Sequence, residues 1–389
     1  MVDKQAVGLR SRWAPIAAYS LVGAATQLVW LNFAGVTTVA ATRYDVSETA
    51  IGWLAQVFPL LYVVLAIPAG LLLDRWFRAA LLTGAFLTAA GALIRLGDTY
   101  PWILAGQILA SIAQPLVLNA VTGITGRYLA VKDRPTGIAT GTASIFAGMM
   151  IAFVLSSIFA SSNQIPVVLV LSAAFAVAAA FALLFTLRRP PVAKPVAPRP
   201  DRNALRLAWS DPLIRRLCVL ALFPFGVFVA LTTFAQALLE PAGVPADTAS
   251  TILLVNVVAG VIGSAAIPIL VARRQAQSAL LALSLTATAL GCAALAVAPS
   301  TLTAFIAITI IGLLLLPALP VVLELVERRT GQAESTAAGL IWLSGNLGGL
   351  LVATAVGLLV DHPTAAFTLL AAIALVAVPG ARALRHSTT

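Results

Sequence analysis

RRPPVAKPVAPRPDRNALRLAWSDP, residues 188–212, is the longest polar stretch in a chain of 389 residues that is otherwise almost continuously apolar. Its prolines disfavour helix and favour an extended, solvated segment, so it reads as a linker. It lies near the middle of the chain and separates two blocks of similar length, 1–187 and 213–389. Hydrophobic residues make up 60% of the chain and charged residues 10%, where a soluble protein carries about 25% charged. With a mean hydropathy of +1.00, a globule of this size lacks the polar surface to cover itself, which excludes a soluble domain and makes the bilayer the solvent.

Charged or Pro/Gly-rich punctuation divides the two blocks into twelve apolar segments, at about 14–41, 50–73, 79–97, 102–125, 136–160, 165–187, 213–239, 247–272, 278–298, 302–326, 336–360 and 364–384. Each is long enough, at about 1.5 Å per residue, to cross a hydrocarbon core of about 30 Å as a helix. A β-barrel would alternate apolar and polar residues in shorter segments, and these runs are continuous. The expected fold is therefore an all-α membrane protein of twelve transmembrane helices in two pseudo-symmetric six-helix bundles, an N-terminal bundle over 1–187 and a C-terminal bundle over 213–389.

Basic residues test this division, because Lys and Arg accumulate on the cytoplasmic side. On the proposed topology 22 of the 24 fall on one side and only Arg43 and Arg95 on the other. A missed or surplus helix would scramble that alternation downstream. Both termini are accordingly expected in the cytoplasm, with the protein in a cell membrane. The net charge of +10 then expresses topology, with anionic lipid as passive partner and no nucleic acid. The first apolar run is of full spanning length and follows a basic start, so the N-terminus reads as retained. Cys218 and Cys292 sit in apolar runs and form no disulfide framework, and His362 and His386 without a cysteine cluster form no metal site. No cofactor is expected. Scattered serines without a base, and no paired acids at a membrane face, argue against an enzyme. The lack of a substantial extramembrane domain argues against a receptor.

The two blocks resemble each other. QPLVLN (114–119) and LPVVLE (319–324) occupy corresponding ends of the fourth and tenth segments. Each is followed by a polar loop and a Gly-rich segment, TGTASIFAGMM (140–150) and AGLIWLSGNLGG (338–349). Parallel six-helix repeats suggest a transporter that rocks about a central site.

GLLLDRWFRAALL (70–82) looks like the signature loop of the major facilitators: Gly, three residues, Asp-Arg, and a nearby basic residue. Physically such a loop is a latch. Asp74 can accept hydrogen bonds from a neighbouring helix N-terminus and pair with Arg78, beside Arg75. Gly70, one turn earlier, would permit close helix approach. The plain alternative is a solvated loop that follows the positive-inside rule. The corresponding second-half loop, VARRQAQSALL (271–281), lacks the acid, so any latch is asymmetric.

QLVWLNF (27–33), RYDVSETAIGWL (43–54), GLLLDRWF (70–77), GALIRLGD (91–98) and GQILASIAQPLVLN (106–119) are similar, in order and spacing, to the feline leukaemia virus subgroup C receptor family of facilitators. That resemblance covers the first five segments well and the second half loosely. It implies transport of choline or ethanolamine, or haem export, through a cavity lined by the first, fourth, seventh and tenth helices, with contributions from the fifth and eleventh. By the same resemblance Trp30 and Gln114 match the family's pocket tryptophan and glutamine. Phe228 stands where the family has a tyrosine, and Asn346 where it has a glutamine.

The residues themselves offer a polar stripe, Gln107, Ser111, Gln114 and Leu118, on the fourth helix. Gln27 and Trp30 share a face of the first helix, Phe225, Phe228 and Thr232 align on the seventh, and Trp342, Asn346 and Gly349 on the eleventh. An amide in hydrocarbon must face protein or a water-filled cavity. Aromatic faces and amides without a carboxylate suit a diffuse cation such as a quaternary ammonium. The substrate-binding set is thus Trp30, Gln114, Phe228, Trp342, Asn346, Gln27 and Gln107. The plain alternatives are that Trp30 and Trp342 pack, that Gln114 serves a carbonyl freed by Pro115, and that Gln27 and Gln107 are interhelical glue. No acid, lysine or histidine falls near a helix midpoint, which favours passive facilitation over proton coupling, with Na⁺ coupling through carbonyl and amide oxygens as the open alternative. The expected protein is a monomeric permease for a small organic cation. The alternative is an efflux or metabolite carrier for larger amphipaths, drug-like or haem.

Overall fold

The computed structural model describes residues 11–130, 133–192, 209–274, 276–318, 321–322 and 334–384. Most of the linker, and the polar loop with Glu324, Glu327, Arg328 and Arg329, lie outside them. Among the described residues there are thirteen α-helices and no strand, as a chain that must satisfy its backbone inside lipid requires. They are α1 Trp13–Leu31, α2 Thr37–Tyr44, α3 Glu48–Ile94, α4 Tyr100–Leu118, α5 Val121–Tyr128, α6 Arg134–Ile158, α7 Ile165–Thr186, α8 Pro212–Leu239, α9 Ala246–Arg274, α10 Gln277–Val297, α11 Thr301–Leu315, α12 Glu334–Gly357 and α13 Pro363–Ala383. Among the described residues ten segments are long and apolar enough to cross a membrane, and the shorter apolar helices Ala143–Ile158 and Thr301–Leu315 bring the number of apolar helical segments to the expected twelve.

Starts are chemically marked. Asp211 accepts from the Leu213 N–H at 2.7 Å ahead of α8, and Ser300 accepts from the Thr303 N–H at 3.2 Å ahead of α11. Four spans depart from simple rods. The first breaks between α1 and α2 through a 3-10 turn at Ala34–Val36, where Gly35 weakens the helix and the Thr37 hydroxyl donates to the Phe33 and Ala34 carbonyls. The fourth breaks between α4 and α5, just past Pro115, whose ring removes a donor. The second and third do not separate at a loop: α3 runs through the connection, and only Trp76 (φ −134°, ψ 53°) leaves helical geometry.

By Cα proximity the chain forms two compact units. One holds Met1–Trp30, Val64–Ala152 and Asn163–Arg199; the other holds Leu31–Val63, Phe153–Ser162 and Pro200–Thr389. In the first unit α1 lies backbone-close on α6: a Cβ on Gly148 would fall 2.2 Å from the Ala24 carbonyl oxygen. In the second unit α8 lies on α12 in the same way, a Cβ on Gly348 falling 2.0 Å from the Leu222 carbonyl oxygen. The Gly-rich fifth and eleventh spans therefore each pack on the first span of their own half. Hydrocarbon supplies no hydrophobic drive between helices, so small residues and dispersion hold them.

The first unit is laced at the end where α1 begins. The Arg12 N–H donates to the Tyr128 carbonyl at 2.8 Å, Arg12 Nη1 to the Pro190 carbonyl at 2.6 Å, and the Val192 N–H to the Arg127 carbonyl at 2.8 Å. The linker thus begins pinned to this unit rather than free in solvent. In the second unit the ends of α2, α6, α8 and α12 and the starts of α3 and α9 converge. Thr49 Oγ1 donates to the Gly357 carbonyl at 2.9 Å, Arg43 Nη1 to the Ser162 carbonyl at 2.9 Å, and Gln56 Nε2 to Thr233 Oγ1 at 3.3 Å. The Gln236 amide brackets Thr38, accepting from its N–H at 2.7 Å and donating to its hydroxyl.

Candidate functional site

In the first unit α1 and α4 run antiparallel. Gln107 Nε2 donates to the Val29 carbonyl at 3.2 Å, and the Tyr19 hydroxyl donates to the Val117 carbonyl at 3.0 Å. Between these contacts ten residues of one helix match ten of the other. By that register Gln114 is level with Val22, and Trp30 lies eight residues farther on, about 12 Å along the axis. Side chains tilt toward their own helix N-terminus, and these helices point oppositely, so Trp30 and Gln114 lean toward each other with Gln27 at a level between them.

Trp30 is 7% and Gln114 3% exposed. The Gln114 amide makes no hydrogen bond among the described residues, so it does not serve a carbonyl freed by Pro115. Gln27 Nε2 donates to Thr26 Oγ1 at 3.3 Å, while its Oε1 is buried without a partner among the described residues. An enclosed acceptor of that kind costs roughly 1–3 kcal/mol unless something donates to it. Gln107 differs: its Oε1 accepts from Arg95 Nη1 at 2.9 Å and its Nε2 reaches the Val29 and Trp30 carbonyls, so the amide is engaged at both ends.

Arg95 itself departs from expectation. Its place among the residues of the opposite face implies solvent, yet it is fully buried in the 3-10 turn that ends α3. The available signal was a charge inside the apolar run GALIRLG, ahead of a helix bearing an amide stripe.

In the second unit Phe225, Phe228 and Trp342 form one aromatic group. The Phe225 ring lies 6.0 Å from that of Trp342, at 81°, and 6.5 Å from that of Phe228, at 61°. All three are part-exposed, so their faces are not wholly used in packing. Phe225, which links the other two, stands outside the sequence-derived binding set, although its spacing from Phe228 marks it. Asn346 is buried and donates from Nδ2 to the Trp342 carbonyl at 2.9 Å, an ordinary bond to its own helix.

At the signature loop Arg75 and Arg78 are exposed, and the Arg75 guanidinium stacks 4.5 Å from the Trp76 ring centroid. Asp74 lies on the α3 backbone, and its side chain is outside the described ones. The close approach expected at Gly70 is not found, since a Cβ there meets nothing within 4 Å. It occurs instead at Gly123, where a Cβ would lie 2.4 Å from Phe77 Cε2, and the Arg127 guanidinium covers that ring at 3.9 Å. A glycine opposite an inserted ring, rather than the glycine of the loop itself, provides the close packing.

A family-wide sequence model described as Major Facilitator Superfamily matches residues 16–353. The chain belongs to the Major Facilitator Superfamily. It is, by that membership, a multi-pass membrane transporter, and its many apolar helices agree. A nucleoside transporter, NupG, superposes with a TM-score of 0.71 at 14% identity over 96% of this chain and 98% of its own. A bacterial homologue of the human lysosomal transporter Spinster, in an inward-facing and unoccupied conformation, gives 0.72 at 16% over 95% of each. At these identities the likeness shows the fold.

Among characterised sequences, Solute carrier family 49 member A3 of Danio rerio is 27% identical over 366 residues, 87% of this chain and 76% of that protein. The Choline/ethanolamine transporter FLVCR1 of Mus musculus is 32% identical over 142 residues, 35% of this chain and 25% of that protein. Human FLVCR2, also named a choline/ethanolamine transporter, is 26% identical over 151 residues, 38% and 29%. The matches to these two transporters thus span less than a third of their length. The similarity to the feline leukaemia virus receptor family expected from the first-half motifs is present.

Proposed function

We propose that this facilitator carries a small organic cation of the choline or ethanolamine class by alternating access, with both termini in the cytoplasm and the substrate gradient as driving force. The observation that carries the reading is the aromatic group Phe225, Phe228 and Trp342, which offers part-exposed ring faces with no carboxylate among them. A quaternary ammonium gains roughly 0.5–2 kcal/mol per ring face, most when desolvated. In the first unit, taken by itself, the Gln114 amide and Gln27 Oε1, neither hydrogen-bonded among the described residues, offer a donor and acceptors of the kind that a hydroxyl or amine uses. The similarity to FLVCR1 and FLVCR2, which are choline/ethanolamine transporters, supports the same class. Among the described residues no acid lies near the middle of a span, which supports facilitation over proton coupling.

The test is uptake of radiolabelled choline into proteoliposomes holding the purified protein, with and without pH or Na⁺ gradients. Saturable uptake that ignores both gradients and is lost in Trp30→Ala and Gln114→Ala supports the reading. No uptake by well-folded protein removes choline, and ethanolamine and larger amphipaths are then assayed in the same vesicles.

A further inference from the structure

The first helix ends within its membrane span, and the last four carbonyls of any helix lack intrahelical partners. For α1 these are Leu28 to Leu31. An open carbonyl in hydrocarbon is costly, so each needs a donor from elsewhere. Farther along the break the donors are neutral hydroxyls: Ser156 Oγ reaches the Asn32 carbonyl at 3.2 Å and Ser250 Oγ the Gly35 carbonyl at 2.9 Å. At Val29 and Trp30 the donors are different. Arg95 Nη1 donates to the Val29 carbonyl at 2.9 Å and to Gln107 Oε1 at 2.9 Å, while Gln107 Nε2 donates to the Val29 and Trp30 carbonyls at 3.2 and 3.4 Å. Both side chains are 0% exposed.

A guanidinium stays charged and is expensive to enclose, whereas hydroxyls serve the same purpose a few residues on. What the charge adds is complementarity to the negative end of the α1 dipole. What Nη1 adds, donating from a planar group to two acceptors at once, is a fixed orientation, which a rotating hydroxyl does not impose. The backbone so held is that of Trp30. We propose that Arg95, acting through Gln107, is a positioning residue that fixes the end of α1 and so aims the Trp30 ring at the ligand. Gln107 thereby leaves the set of ligand contacts and joins the scaffold behind it. This inference rests on the reading that Trp30 meets the transported cation.

Two measurements on the full-length protein test it. The first needs no substrate: amide hydrogen exchange of the segment spanning residues 28–37 in nanodiscs, for wild type, Arg95→Gln and Gln107→Leu. Exchange at least several-fold faster in both variants, with α10 and α13 unchanged, is expected. Unchanged exchange in 28–37 overturns the proposal. The second is choline uptake in proteoliposomes. Arg95→Gln and Gln107→Leu should raise KM about tenfold with the maximal rate within about twofold, and Arg95→Lys should recover part of that loss. In the Arg95→Gln background, Trp30→Ala should cost little more, because coupled residues are non-additive. Additive losses, or a Trp30→Ala protein with wild-type KM, overturn the proposal. If Arg95→Gln fails to fold, Gln107→Leu, which removes no charge, decides by the same outcomes. If wild type moves no choline, the substrate reading fails and the exchange measurement alone decides this one.

Discussion

The ring of Phe234 fills the space in front of Gly52: a Cβ placed on that glycine would lie 2.1 Å from Cε1 and 2.2 Å from Cζ. Gly357 faces the same ring, its Cβ position 2.9 Å from Cζ. A phenyl group from α8 is thus held between glycines of α3 and α12, where the Thr49 hydroxyl ties those two helices together. The arrangement is a ring-in-notch seal within the second unit.

Gly52→Ala should therefore be destabilising, by about 1–3 kcal/mol, because the methyl group has nowhere to go without displacing a ring fully enclosed by its neighbours. Phe234→Ala should cost more, about 3–5 kcal/mol, through the cavity it leaves. Thermal unfolding of the purified protein in nanodiscs checks both. A Gly52→Ala protein that melts with wild type would show that the ring yields freely.

Glycines in this chain are predicted to be unequal. Gly148→Ala should lower the melting temperature clearly, since its Cβ would lie 2.2 Å from the Ala24 carbonyl oxygen, a backbone atom that cannot rotate away. Gly70→Ala, with nothing within 4 Å, should be neutral or raise stability by roughly 0.4–1 kcal/mol through reduced freedom of the unfolded chain. The same melting assay ranks the pair.

Phe225→Ala should raise the KM for choline by about 3- to 30-fold, corresponding to one or two lost ring contacts. Phe225→Tyr should stay close to wild type, because it keeps the face toward Trp342. Initial-rate uptake in proteoliposomes distinguishes these outcomes. Equal loss in both variants would point to packing rather than to a cation contact.

Phe77→Ala should loosen the junction of α3 with α5, removing both the ring that fills the Gly123 notch and the surface under the Arg127 guanidinium. A loss of about 3–5 kcal/mol is expected for the buried ring, and Phe77→Leu should recover much of it. Protease sensitivity around residues 121–133, compared with α7, reads the local effect. Sensitivity unchanged in Phe77→Ala would mean that the ring does not hold this junction.

Much of the fold was legible in the residues because the decisive physics is local. A long run without charge must be helical in lipid, since only a helix satisfies each backbone group within the same segment, and so the apolar segments and their Gly-rich fifth and eleventh members were readable in order. The aromatic and amide candidates were readable for a similar reason: Trp30, Gln114, Phe228 and Trp342 share helix faces with Gln27, Gln107, Phe225 and Asn346 in segments that are otherwise mostly aliphatic. What composition does not contain is which distant segment supplies a partner. At the break after Leu31, Arg95, Gln107, Ser156 and Ser250, from four other helical spans or their ends, meet its carbonyls. Gly70 and Gly123 are equivalent in sequence terms, and only packing decides that Phe77 inserts against the second. The amides of Gln107 and Gln114 lie on one stripe, yet tertiary structure engages the first at both ends and leaves the second without a hydrogen bond among the described residues, because hydrogen bonding in a membrane interior is settled by whichever neighbour the assembled helices bring within about 3 Å.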